Sequence, residues 1–120
     1  MSNQFRFEDL QIWRRAAQAA IRMFDLADGL DKKRLYRFAE QLRGAAPSIS
    51  NNIAEGAGSV SKAEFRQFLN FARRSIFETA NMLIIFEMKA IFDGASARPL
   101  VTELEELSRM ITAFSRSLEK

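Results

Sequence analysis

Gln41, Ser48, Asn52 and Glu55 recur at helical steps of three and four in the middle of the chain, with Ala45 in the same register. They would share one face of a helix, where a bundle usually places leucine. Ser75 and Glu78, three apart further on, would share a face of another helix. Carboxylates beside amide and hydroxyl oxygens suit acid/base work or a hard cation, and a buried carboxylate must be paired or its pKa rises. The structural alternative has Asn52 and Ser48 satisfying backbone groups, with Glu55 and Glu78 capping helix ends or pairing with Arg43 or Arg74. Two glutamates with no aspartate or histidine beside them make a thin metal site, so the structural reading leads and no catalytic residue, metal or cofactor is expected.

The cations form a second constellation. Arg15 and Arg22 stand one heptad apart, as do Arg66 and Arg73, with Arg74 following; Lys32, Lys33, Arg34 and Arg37 cluster within six residues. Arginines on a rigid face suit phosphate oxygens, through contacts that weaken with salt. The plainer reading is a set of solvated faces matched by Asp25, Asp28, Asp31 and Glu64. The eleven phenylalanines, at helical spacing, read as core and interface residues rather than as platforms for bases.

Composition narrows the chemistry. The chain has no histidine, which removes the commonest general base and metal ligand, and no cysteine, which removes thiolate nucleophiles, thiolate metal sites and disulfides. An enzyme is not expected. The net charge of +3 permits contact with nucleic acid without demanding it. The opening residues have no apolar signal core, and the greasiest stretch, 82–92, is short and broken by Glu87 and Lys89. The expectation is a cytoplasmic protein without a membrane partner.

Helical periodicity supplies the elements that position these residues. With 48% hydrophobic residues, five glycines and two prolines, 120 residues form one domain, 1–120, with its own core. The spacing predicts helices at about 7–28, 32–55, 62–92 and 99–118. Gly29 is the expected stop of the first. Pro47 is expected to kink the second, the alternative being two helices split between Gly44 and Pro47. Ser61 to Glu64 reads as a capping box opening the third, Asp93-Gly94 as its end, and Pro99 as a first-turn residue of the fourth, with Ser96 an upstream cap. Short connections imply an all-α, antiparallel up-down-up-down four-helix bundle. The third helix carries more apolar residues than one core face can absorb: Phe71, Phe77, Ile84, Ile85, Met88, Ile91 and Phe92 lie off the inner stripe. This predicts self-association along it, against a wide core stripe with scattered surface apolars.

Several segments together resemble a known family. They are Phe7 to Trp13; Gln41-Leu-Arg43 followed by Ser48 and Asn52-Ile-Ala-Glu-Gly56; and Glu64-Phe65, Phe68-Leu69, Ala72, Ser75 and Glu78. The chain is similar over about residues 5–90 to the four-helix-bundle proteins encoded in intervening sequences of bacterial 23S rRNA genes and their free-standing relatives. The resemblance implies a ring-shaped homopentamer with no established enzymatic activity, and motif positions at Gln41, Arg43, Ser48, Asn52, Glu55, Gly56, Ser75 and Glu78. A distantly similar group, the accessory proteins of diversity-generating retroelements, binds nucleic acid and a reverse transcriptase through a more basic pentamer. The resulting expectation is an oligomeric bundle that binds RNA or other nucleic acid through its arginine faces. The alternatives are a scaffold for protein partners alone and a carboxylate metal enzyme at Glu55 and Glu78.

Overall fold

The computed structural model describes residues 4–119. A 3-10 turn, Arg6–Asp9, leads into α1 (Gln11–Lys32), α2 (Tyr36–Ala45), α3 (Ser48–Ala57), α4 (Lys62–Met88) and α5 (Gly94–Ser117). No strand occurs among the described residues. α2 and α3 together form the second arm of a four-armed bundle measuring 47 × 29 × 21 Å.

Contacts between arms fix their directions. Along the second arm and α4, Phe38 meets Phe86, Ser48 meets Ser75 and Gly56 approaches Phe65, so one sequence rises as the other falls. Phe65 with Phe114 and Glu87 with Arg98 set α5 antiparallel to α4. Arg15 with Glu106 and Arg22 with Glu103 set α1 antiparallel to α5. The bundle closes around Met23, Leu42, Ile53, Leu69, Leu83 and Leu104, all fully buried. Each such side chain contributes roughly 1.5–3 kcal/mol of burial.

Helix boundaries differ from the expected ones for identifiable reasons. α1 starts later than residue 7, because Leu10 is extended after the 3-10 turn, and it runs through Gly29 to Lys32. Gly29 is exposed, so the helix gains nothing by ending there. The stop comes from Arg34, which turns left-handed at φ 62°. The Arg34 amide donates to Asp31 O and the Leu35 amide to Leu30 O, each at 2.9 Å. That is a Schellman turn, closed by the apolar pair Leu30 and Leu35, and it delays α2 to Tyr36. α4 likewise ends at Met88 rather than 92. Ala90 has φ 62°, its amide donates to Glu87 O, and the Ile91 amide donates to Phe86 O. Asp93-Gly94 does not end α4. Asp93 caps α5, its carboxylate accepting from the Ser96 amide at 2.9 Å, so α5 begins before Pro99 and carries that proline inside.

At Pro47 the second arm combines both expected outcomes. Ala46 and Pro47 keep right-handed helical angles, so the chain continues in one direction. The proline has no amide to give, and the hydrogen-bonded segments stop at Ala45 and restart at Ser48. Only half of the expected capping box forms: Ser61 Oγ accepts from the Glu64 amide at 3.1 Å.

Candidate functional site

The polar face of the second arm meets α4 as a hydrogen-bonded seam. Ser48 and Ser75 share a hydroxyl–hydroxyl bond of 2.8 Å. The Asn52 amide donates to Ser48 O at 3.0 Å and reaches Ser75 Oγ at 3.5 Å. These half-buried groups satisfy one another and tie α3 to α4 just past the kink. Gly56 completes the seam through the absence of a side chain. A Cβ there would lie 2.8 Å from both Phe65 Cδ1 and Phe68 Cβ. Glycine therefore sets how closely the two helices approach.

Glu55 and Glu78 do not join that network. Both are exposed, and neither carboxylate accepts a hydrogen bond or forms an ion pair among the described residues. Glu78 lies between two adjoining hollows. One is lined by Gln41, Gly44, Ser48 and Thr79, the other by Asn52, Phe71, Arg74 and Ser75. No group of three or more acidic side chains able to hold a metal occurs among the described residues. Arg43 is likewise not a partner of these glutamates. Its guanidinium donates to Asp31 and Asp28 at 2.6 Å each, and those two bonds hold it more firmly protonated than an ordinary arginine. It reaches back across the turn and staples α2 to the last turns of α1.

The basic residues divide into matched and unmatched sets. Arg15 pairs with Glu106 at 3.4 Å, Arg22 with Glu103, and Arg66 with Glu119 at 3.4 Å. Their acids come from α5 and from Glu119 in the turn that follows it, not from the neighbours Asp25, Asp28 or Glu64 that the sequence suggests. Lys32, Lys33, Arg34 and Arg37 are exposed around the α1–α2 turn, and none forms an ion pair among the described residues. Three nearby acids are engaged elsewhere, since Asp28 and Asp31 hold Arg43 and Asp93 caps α5, whereas Glu40, one turn after Arg37, is exposed and forms no ion pair among the described residues. The cap bonds from Ser96 hold the Asp93 carboxyl below its usual range, with a smaller contribution from the charge of Lys33. Arg73 and Arg74 also lack ion pairs among the described residues. With Asn70 and Phe77 they line a hollow of about 340 Å³ on the outer flank of α4.

Sequence periodicity did not single out Asn70 as a site residue, and it assigned Phe77 to an interface. Phe77 is 63% exposed beside the two free guanidiniums. The signal that could have found this cluster is its i, i+3, i+4, i+7 spacing from Asn70 to Phe77 on a face opposite the core stripe.

No helix among the described residues is long and apolar enough to cross a membrane. No curated protein matches the sequence. The sequence does match the 23S rRNA-intervening sequence proteins over residues 8–113, from the first turn to the last turns of α5. The four-armed bundle, the Ser48–Asn52–Ser75 seam and the Gly56 close approach thus belong to a member of the 23S rRNA-intervening sequence protein family.

Proposed function

We propose that the protein is a non-enzymatic, self-associating cytoplasmic module that binds RNA or another nucleic acid through its unmatched cations. The observation that carries this reading is the α1–α2 turn. Four exposed cations lie within six residues, while Asp28 and Asp31 are held by Arg43 and Asp93 caps α5, so that Glu40, one turn after Arg37, offsets only part of their charge. Such a cluster attracts phosphates and releases their counterions. The paired arginines Arg15, Arg22 and Arg66 contribute much less, because Glu106, Glu103 and Glu119 already cancel their field.

Self-association multiplies the same patch. Towards its C-terminal end, beyond the hollow at Phe77, α4 exposes Ile85 and Met88, an apolar surface that supports a subunit contact; the family resemblance favours a pentameric ring. In a ring, several modest patches sum to a large potential.

Fluorescence anisotropy with labelled RNA over a salt series tests the reading, with light scattering for the assembly. Affinity should fall steeply with salt. Lys33→Glu with Arg34→Glu should lower it about tenfold or more and flatten the salt slope by roughly 1.4, two phosphate contacts at ~0.7 each. Arg15→Gln with Arg22→Gln should change it less than threefold. Absence of binding by the unmodified protein at low ionic strength refutes the proposal, and a monomer mass at micromolar concentration refutes the assembly. A protein-only scaffold is favoured by a different observation, the hollow of about 400 Å³ between α4 and α5 lined by Phe77, Ile84 and Val101. A specific protein partner retained after nuclease treatment would select that reading.

A further inference from the structure

Arg73 differs from four arginines that reach a carboxylate across the bundle. Arg15, Arg22 and Arg43 each meet a carboxylate of another helix, and Arg66 meets Glu119 just past the end of α5. Arg73 has none among the described residues, and its Nε is buried without a hydrogen-bond partner. Burial strips water from part of the guanidinium and leaves its charge uncompensated, so an anion at its remaining N–H groups is worth more than on an open surface. Arg74 stands beside it, also unpaired. The hollow that both line is completed by the Asn70 amide and by Phe77, which is 63% exposed.

Two free guanidiniums call for phosphate or carboxylate. The aromatic face one helical turn away, about 6 Å along the axis at 1.5 Å per residue, calls for a flat apolar group attached to that anion. We infer that this hollow holds one unpaired nucleotide of a single strand, with its phosphate on Arg73 and Arg74 and its base stacked on Phe77. Asn70 offers amide hydrogen bonds to the base edge. A base inside a duplex cannot present its face to the ring, whereas an unstacked one can. The site thus reads single-strandedness, while the cations of the α1–α2 turn attract any phosphate backbone. The inference rests on the nucleic-acid reading above and adds the form of nucleic acid that is preferred.

The test uses the full chain and three labelled RNAs: a ten-nucleotide single strand, the same strand with its bases removed, and a duplex of the same sequence. The single strand should bind about tenfold more tightly than its abasic counterpart, the range expected for one base stacked on an aromatic ring. Phe77→Ala should abolish that advantage and leave duplex affinity unchanged; Phe77→Trp should restore it. Arg73→Gln should weaken the single strand and flatten its salt slope by about 0.7. Because Phe77 is exposed, its substitution should leave the melting temperature within a few degrees of the parent, which circular dichroism checks. Equal affinity for the intact and abasic strands, or indifference to Phe77→Ala, overturns the site. If duplex binding persists in that case, general nucleic-acid binding survives without it. Displacement of the single strand by an oligoglutamate peptide at lower concentration than by unlabelled RNA also overturns it, in favour of an acidic protein partner.

Discussion

Gly56→Ala isolates the close approach of α3 and α4. The added Cβ would stand 2.8 Å from Phe68 Cβ, about 1 Å inside ordinary carbon–carbon contact. Phe68 Cβ is anchored to the α4 backbone and cannot swing away, and Phe65 Cδ1 is equally close on the other side. The helices must therefore separate, and overpacking of that kind costs up to about 3 kcal/mol. Alanine recovers about 1 kcal/mol of helix propensity. The net loss is up to about 2 kcal/mol, or a fall of up to roughly 8 °C in melting temperature for a domain of this size. Gly29→Ala is the matched control. That glycine is also helical, but a Cβ there meets nothing within 4 Å, so only the propensity term acts and the protein should gain up to about 1 kcal/mol. Thermal unfolding followed by circular dichroism, with both variants beside the parent, reads the two signs. A Gly56→Ala protein at least as stable as the parent would refute the account of the seam.

Ala90→Gly should stabilise the protein by about 1 kcal/mol, because alanine pays for its left-handed turn at the end of α4 and glycine does not; urea unfolding measures it. Ser61→Ala, which removes the oxygen accepting from the Glu64 amide, should cost about 1 kcal/mol in the same assay. Asp93 gives a pH dependence. Its folded pKa is lowered, so its contribution is fully present above its unfolded pKa and disappears as pH falls through the folded value. Melting temperatures taken from pH 6 down to pH 2 should decline less steeply in Asp93→Asn than in the parent.

Much of the fold was legible because apolar residues at three- and four-residue spacing can be buried in few other ways. The four arms and the cap at Ser61 follow from local rules; at Pro47 those rules led to one kinked helix, and the hydrogen-bonded segments are two. The helix ends were less legible, since Arg34 and Ala90 adopt the angles that sequence rules assign to glycine, while Gly29 and Gly94 sit inside helices or open them. Those two turns are held by tertiary burial of Leu35 and Ile91, which no local pattern reports. At the candidate site, the helical face shared by Ser48 and Asn52 anticipated their bonds with Ser75. It could not anticipate that Glu55 stays outside the seam while Gly56 makes the contact. The arginine pattern was visible too, but its partition into matched and free cations depends on which acids of α5 face α1 and α4. That is a property of the closed bundle.

The convergence of the first and last described segments has a topological consequence. The Arg6 guanidinium lies 5.6 Å from the centre of the Phe65 ring, and Arg66 pairs with Glu119, so the two extremities of the bundle meet at the start of α4. In a chain trimmed to residues 4–119, joining those two segments by a short Gly/Ser linker would add little closure entropy. New ends could then be opened in the α3–α4 turn, where Val60 is fully exposed. The same four arms would be preserved in a circularly permuted order, α4–α5–α1–α2–α3. The Ser48–Asn52–Ser75 seam would pass from a contact between successive arms to one between the first and last arms of the new chain.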